Sequence, residues 1–170
     1  ATVAMSVNQP PNAGFNGQTI VCDDDLPFQL VTVLNGSPQL NGAWTDPQNA
    51  VHTGIYIPGQ SRPGVYTYVV TGAAPCSNAQ AQVNVIENPQ PDAGENGVAT
   101  ICSTGQPFSL FTVLSGTPDL SGTWHGPTGI QVGSDFTPGV SAPGVYKYRI
   151  AGLSPCESDS ATATIIVNAS

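Results

Sequence analysis

Four cysteines are the residues of this chain whose chemistry can be inferred most directly. They form two pairs with identical spacing, Cys22 with Cys76 and Cys102 with Cys156. Paired cysteines form disulfides or bind zinc, but zinc sites favour C-x-x-C clusters with histidine nearby, and the sequence has none. Three disulfide pairings are possible in principle, and the repeated spacing favours one disulfide within each repeat. We therefore expect Cys22–Cys76 and Cys102–Cys156, each stabilising its domain by roughly 4 kcal/mol.

The charge balance restricts both the location and the partners of the protein. Disulfides imply an oxidising place, outside the cell or in a periplasm. The chain has three basic and eleven acidic residues, which gives a net charge of −8. Nucleic acid is excluded as a partner because no basic stripe could contact phosphates. No apolar run approaches the roughly 18 residues of a membrane helix. We expect a secreted or cell-surface protein without membrane insertion.

Candidate catalytic residues do not recur between the two repeats. His52 aligns with Val132, and His125 aligns with Thr45. The G-x-S-x-G motif of a hydrolase nucleophile is absent, and the cysteines are assigned to disulfides. The sequence therefore predicts a protein that is not an enzyme and needs no cofactor.

A calcium site is a weaker alternative for the carboxylates. Asp24 lies in an acidic triplet at the end of the first predicted strand, and Asp92 precedes the equivalent strand of the second repeat. Neither region has the ligand spacing of an EF-hand loop. The default interpretation is a surface turn without metal, with Asp24 and Asp92 as the candidates if calcium binds.

The whole chain is a tandem repeat in which Cys22 aligns with Cys102, Trp44 with Trp124 and Cys76 with Cys156. About 32 of the 80 aligned positions are identical and no gap is needed, which indicates one folding unit used twice. We expect two domains, residues 1–88 and 89–170. A domain of this size buries only about 60% of its unfolded surface, so the disulfides would reinforce a marginal core.

The local pattern predicts an all-β fold. Short apolar runs alternate with Asn-Gly and Pro-rich turns, as in β-sandwiches. Strands are predicted in the first repeat, and at the equivalent positions of the second, at Gln18–Cys22, Phe28–Leu34, Gly42–Thr45, Gly54–Ile57, Gly64–Thr71 and Gln80–Ile86. The run Phe28–Leu34 would also suit a turn or two of helix. Trp44 and Trp124 are expected in the two cores, and a ring stacked on a sugar is the alternative.

The first eight residues are a surplus copy of one strand. Residues 1–8 resemble 81–88 and 161–168, with Val3, Met5 and Val7 on one strand face. One interpretation is that the chain was cut from a longer array. A second is that Val3, Met5 and Val7 extend a sheet in a neighbouring molecule, as in donor-strand fibres. A third is that residues 1–8 are simply the first strand of the first unit.

These positions together resemble the Ig-like repeats of large secreted adhesion and gliding-associated proteins of Bacteroidetes. The resemblance rests on Asn12-Ala13-Gly14, Pro91-Asp92-Ala93-Gly94, Cys102, Pro107-Phe108-Ser109-Leu110, Leu114-Ser115-Gly116-Thr117-Pro118, Gly122-Thr123-Trp124, Pro143-Gly144-Val145-Tyr146-Lys147-Tyr148 and Pro155-Cys156. It implies two tandem Ig-like β-sandwiches without catalytic function. Asp159-Ser160-Ala161 also resembles an O-glycosylation pattern of Bacteroidetes, which makes Ser160 a candidate site.

The function expected from these observations is structural and adhesive. Each repeat would be one module of an extracellular or cell-surface fibre, with neighbouring repeats or other copies of the protein as partners. One alternative is a filament subunit that assembles head to tail through its surplus strand. Another is a glycan-binding module of a secreted protein, which predicts exposed aromatic side chains in a row, with Tyr56, Tyr66 and Tyr68 as the candidates.

Overall fold

The chain forms two compact units with the same strand order. The computed structural model describes residue 3 and residues 7–169, and the units are Ala1–Asn88 and Pro89–Ser170. The strands of the first unit are β1 (Gly17–Cys22), β2 (Phe28–Gln29), β3 (Ala43–Thr45), β4 (Val51–His52), β5 (Ile55–Tyr56), β6 (Gly64–Val70) and β7 (Ala79–Asn88). Those of the second are β8 (Gly97–Cys102), β9 (Phe108–Ser109), β10 (Thr123–His125), β11 (Gln131–Val132), β12 (Asp135–Phe136), β13 (Gly144–Ile150) and β14 (Asp159–Asn168).

Each unit is an Ig-like sandwich of a five-stranded and a two-stranded sheet. The larger sheet has the order β1-β7-β6-β3-β4 in the first unit, and β2 pairs with β5 in the smaller one. The second unit repeats this with β8-β14-β13-β10-β11 and with β9 paired to β12. In the described part of the chain, helical structure is limited to two three-residue 3₁₀ turns. The predicted all-β class with two Ig-like sandwiches is confirmed.

Alternation along the long strands builds the core of each unit. In β6, Tyr66, Tyr68 and Val70 are buried while the residues between them are half-buried. The strand β7 alternates in the same way. Because successive side chains of a strand point to opposite faces, one face of this pair covers the smaller sheet. The result is a separate apolar cluster in each unit.

The predicted strand Phe28–Leu34 is wrong beyond its second residue. Strand β2 ends at Gln29, and residues Leu30–Thr32 form a 3₁₀ turn. Leu30 and Leu34 are both buried, whereas Thr32 between them is exposed, so the burial follows helical rather than strand spacing. The hydroxyl of Thr32 donates to the carbonyl of Gln29 at 2.7 Å, which stabilises the turn.

The predicted disulfide within each unit is also wrong. Cys22 and Cys156 are disulfide-bonded, whereas Cys76 and Cys102 carry free thiols. Neither Cys22–Cys76 nor Cys102–Cys156 forms.

The strand layout of a single unit explains why its own two cysteines cannot pair. Cys22 lies opposite Asn88, the last residue of β7. Cys76 lies in the turn that precedes Ala79, the first residue of β7. A strand of ten residues at about 3.3 Å per residue is about 30 Å long, whereas a disulfide requires Cα atoms less than about 7 Å apart. The two sulfurs therefore lie at opposite ends of the unit.

Candidate functional site

The two ends of each unit are the candidate functional sites, because the cysteines lie there. We call the end with the last residue of β7 or β14 the trailing end, and the end with the turn before β7 or β14 the leading end. At the trailing end of the first unit, Cys22 pairs with Asn88. The carboxylate of Asp25 accepts a 2.8 Å hydrogen bond from the Cys22 backbone N–H. In the second unit, Cys102 pairs with Asn168 in the same register.

The leading ends present the second cysteine of each repeat on a short turn. The Cys76 backbone N–H donates to the carbonyl of Ala73 at 2.9 Å, and the Cys156 N–H donates to that of Leu153 at 2.8 Å. The thiol of Cys76 lies 3.8 Å from the carbonyl oxygen of Asn8. Each turn therefore fixes its cysteine backbone in the same way.

Burial separates the bonded cysteines from their free counterparts. Cys22 and Cys156 are only 4% and 7% exposed. Cys76 is half-buried and Cys102 is exposed. Because these positions are equivalent in a repeated fold, the two copies of each cysteine differ in burial and in bonding state.

The carboxylates considered for calcium have structural roles or a partial ligand set. Asp92 Oδ1 accepts from the Gly94 N–H at 2.8 Å, and Asn12 Oδ1 accepts from the Gly14 N–H at 2.9 Å in the other unit. This shared turn accounts for Asp92 without a metal. Candidate ligand atoms of Asp24, Asp25 and Cys22 lie within 4.8 Å of one another, but the Cys22 sulfur is in a disulfide and Asp25 accepts from backbone. A calcium site at Asp24 stays a prediction.

The two tryptophans lie in the cores. Trp44 is 7% and Trp124 is 3% exposed, and each packs on a tyrosine of the long strand, Tyr68 at 4.7 Å and Tyr148 at 5.0 Å between ring centroids. Tyr56, Tyr66 and Tyr68 are almost fully buried. The expectation that these three tyrosines form an exposed sugar-binding row is therefore wrong.

The tryptophan of the first unit borders a surface depression. Its lining includes Trp44, Val31 and Leu40. In the second unit the residue equivalent to Val31 is Phe111, and its ring packs on Trp124 at 5.4 Å and on Tyr148 at 4.9 Å. The larger side chain occupies the equivalent space, so the two units differ at this position.

One partly buried hydrogen bond of the described residues belongs to the first unit alone. The hydroxyl of Tyr56 donates to Glu87 Oε2 at 2.8 Å, and the equivalent residues of the second unit are Phe136 and Val167. Burial, and then the adjacent Glu87 carboxylate, raise the pKa of Tyr56. Burial also raises the pKa of Tyr66.

These raised pKa values predict a loss of stability in alkali. An unfolded tyrosine ionises near pH 10, before the folded one, so the stabilisation is complete below about pH 10 and is lost as pH rises towards the higher folded pKa. In the Tyr56→Phe variant, the free energy of unfolding of the first unit should fall less as the pH rises. Urea unfolding at about pH 8 and about pH 11, followed by Trp44 fluorescence in a Trp124→Phe background, measures this change. If the unchanged chain and the Tyr56→Phe variant lost the same amount of unfolding free energy, the prediction would be contradicted.

The remaining candidates from the sequence, His52 and Ser160, lie in different units. His52 Nδ1 accepts from the Gly54 N–H at 3.1 Å and its ring lies 4.8 Å from that of Tyr66, which is a packing role. Ser160 is exposed on β14 opposite Arg149, where a hydroxyl is accessible for glycosylation. O-glycosylation of Ser160 stays a prediction.

The surplus strand of residues 1–8 is described only in part. Val3 and Val7 are 85% and 89% exposed and lie outside any strand. Met5 lies outside the described residues. Strand exchange through Val3, Met5 and Val7 therefore stays a prediction.

Comparison with known proteins shows the fold alone. No protein-family model matches the chain, and no curated protein matches it. Among solved structures, it is similar to the I-band fragment I67–I69 of titin, with 14% identity over 91% of this chain and 64% of that one and a TM-score of 0.55. It is similar to the insect immune protein hemolin, with 14% identity over 97% and 48% and a TM-score of 0.55.

A third similar structure is the N-terminal four Ig domains of Dscam1 isoform 6.9. The identity is 14% over 90% of this chain and 44% of that one, with a TM-score of 0.54. The chain thus spans 44% to 64% of the length of these three structures. All three contain tandem Ig domains, which supports an Ig-like repeat module. Among the described residues, no helix is long and apolar enough to cross a lipid bilayer.

Proposed function

We propose that this chain is a non-catalytic structural and adhesive module of an extracellular or cell-surface fibre, built from Ig-like repeats. The observation that carries the proposal is that the residues shared by both units maintain the fold or lie at the unit ends. The paired aromatic cores recur, and so do the cysteines at the leading and trailing ends. The histidines, the acidic triplet and the Tyr56–Glu87 bond do not recur.

Three further properties support a location outside the cell. The chain contains a disulfide, which persists in oxidising compartments. It carries one lysine and two arginines, so few side chains on its surface are cleavage sites for trypsin-like proteases. The similar solved structures are tandem Ig modules, and one of them, hemolin, is described with implications for homophilic adhesion. Self-association through repeats is the corresponding proposal for this chain.

Immunogold electron microscopy of the native source tests this function. An antibody raised against the purified chain should label thin fibres on the surface of intact, unpermeabilised cells. Pre-incubation of the antibody with the purified chain is the control and should abolish the label. Labelling confined to the interior of permeabilised cells would overturn the proposal.

A further inference from the structure

We propose that the outer face of the larger sheet in the second unit binds an acidic polysaccharide through His125, Lys147 and Arg149. We call these three residues the basic face. The anionic groups of the ligand would be uronate carboxylates or sulfate esters. This inference rests on the proposed function and deepens it, because it names the class of ligand to which the adhesive module attaches.

Strand alternation directs two cationic side chains out of the second unit. Tyr146, Tyr148 and Ile150 of β13 are buried, whereas Lys147 and Arg149 between them are exposed. Alternate residues of a strand share a face and lie about 6.6 Å apart. The ammonium and the guanidinium therefore lie side by side on the face of the sheet that is turned away from the core.

The neighbouring strand adds an imidazole to the same face. His125 of β10 is the direct cross-strand partner of Lys147, and Thr123 is that of Arg149. Opposed residues of an antiparallel pair share a face and have Cα atoms about 4.5–5.5 Å apart. A neutral imidazole carries one N–H donor. Three hydrogen-bond donors are thus grouped on two adjacent strands.

The basic face borders an open depression of about 380 Å³, whose lining is completed by Gly126, Pro127 and Gly129 of the turn after β10. A Cβ at Gly129 would meet no atom within 4 Å, so the space beside this turn is empty. Ligand pockets typically have volumes of about 300–1,000 Å³. Because the depression is open to solvent, it can hold one residue of a longer polymer.

In the part of the chain that the structure describes, no carboxylate neutralises the basic face. Neither Lys147 nor Arg149 forms an ion pair with another described residue, and the Arg149 guanidinium donates to the hydroxyl of Ser158 at 3.2 Å. The chain has eleven acidic residues and only three basic ones. These two cations nevertheless have no acidic partner and can bind an external anion.

The first unit shows that the fold does not require these residues. Its equivalents of the basic face are neutral and have the same strand register: Thr45, Thr67 and Val69. Gly126 stands where the first unit has Asp46. Both residues begin the same turn, since their N–H groups donate to the carbonyl four residues later at 2.8 and 2.9 Å. The second unit thus gains two cations and loses one carboxylate at this place without a change of fold.

The position of the basic face in the sheet favours a polysaccharide over a peptide. Strand β13 lies between β10 and β14, so its backbone is already paired on both sides and cannot add a peptide strand. Hydroxyl side chains lie beside the basic face on these strands and suit the hydroxyl groups of a sugar: Thr123, Ser160 and Thr162. Among the described residues, no Phe, Tyr or Trp lines the depression, so nucleic-acid bases would lack a stacking partner.

Replacing the basic face with the residues of the first unit tests the site. The triple variant carries His125→Thr, Lys147→Thr and Arg149→Val, a neutral set that the same fold already contains. Isothermal titration calorimetry measures binding of an oligogalacturonate and of a dextran sulfate oligomer, with neutral dextran as the ligand control. We expect the unchanged chain to bind an acidic saccharide and not dextran. The triple variant should bind about tenfold or more weakly, because it loses hydrogen bonds to charged groups.

Arg62→Gln is the matched control for the loss of charge. Arg62 is the remaining basic residue of the chain and lies in the first unit. Its replacement removes one positive charge from the protein and leaves the basic face intact. The affinity of this variant for the acidic saccharide should equal that of the unchanged chain.

The repeat also permits a gain of binding. The substitutions that transfer the basic face to the first unit in the same register are Thr45→His, Asp46→Gly, Thr67→Lys and Val69→Arg. Calorimetry of this variant should give two sites per chain instead of one. Circular dichroism checks that every variant is folded.

Several outcomes would overturn the proposal. They are an unchanged affinity in the folded triple variant, an equal loss in Arg62→Gln, a single site in the folded transfer variant, and a chain that binds neither acidic saccharide. Polyglutamate bound as tightly as a saccharide of the same number of charges would assign the face to an acidic peptide instead.

The failure of this inference is distinguishable from the failure of the proposed function. Labelled surface fibres made of a chain that binds no acidic saccharide would remove the ligand and leave the fibre module. Calorimetric binding by the purified chain without labelled fibres on cells would leave the binding site and remove the function.

Discussion

Replacing Trp124 with alanine is expected to remove most of the folding free energy of the second unit. The indole is 3% exposed and packs on the rings of Phe111 and Tyr148. A large aromatic removed from a core costs about 3–5 kcal/mol, and small domains have total stabilities near the lower end of about 5–15 kcal/mol. Amide hydrogen exchange in β13 should accelerate by about 100-fold or more, since each 1.4 kcal/mol is a factor of ten.

Trp124→Phe is the matched control for this loss. The Trp124 Nε1 has no hydrogen-bond partner in the described part of the chain, so a phenyl ring sacrifices contact area and no hydrogen bond. Its cost should be about 1.5 kcal/mol or less, and exchange in β13 should change far less than in the alanine variant. Equal exchange rates in the phenylalanine and alanine variants would show that packing of the ring does not hold this core together.

Gly97→Ala is expected to be the most damaging small substitution in the second unit. A Cβ at Gly97 would overlap the carbonyl oxygen of Val113, and a Cβ at the equivalent Gly17 would overlap that of Val33. Backbone rather than a mobile side chain occupies the space, so β8 or the segment that carries Val113 must move. We expect a loss of about 3 kcal/mol, at the upper end of the usual cost of overpacking. Urea unfolding followed by Trp124 fluorescence in a Trp44→Phe background measures it.

Gly133→Ala is the control for the glycine prediction. A Cβ at Gly133 meets no atom within 4 Å, and its backbone is not left-handed. Alanine there should be neutral or stabilise by up to about 1 kcal/mol, because it restricts the unfolded chain. The two variants are compared by the urea concentration at which half of the second unit is unfolded. If this midpoint were as high for Gly97→Ala as for Gly133→Ala, β8 would be able to shift at little cost.

The sequence predicted the fold well because its signals were local and repeated. The β-branched and aromatic residues of Gly64–Val70 and the turn residues between runs indicate strands without knowledge of the partner strands. The prediction of a strand over the whole of Phe28–Leu34 was wrong because the apolar residues of this run fit both strand and helical spacing. Strand β4 was missed because two residues, Val51 and His52, carry no periodicity.

The disulfides were mispredicted because sequence spacing does not report which end of a sandwich a residue occupies. Cys22 ends the first strand and Cys76 precedes the last one. The parallel pairing of β1 with β7 then sends the two sulfurs to opposite ends. That pairing depends on tertiary contacts rather than on local pattern. The available signal was the long last strand that begins only after Cys76.

The central claim is that the two cysteines of a single unit lie at its opposite ends and do not bond to each other. Mass spectrometric mapping of the native protein, digested without reductant and with free thiols blocked first, tests it directly. The account predicts that Cys76 and Cys102 are recovered as blocked free thiols, and that Cys22 and Cys156 are recovered in disulfides. Peptide pairs that join Cys22 to Cys76 and Cys102 to Cys156 would contradict it.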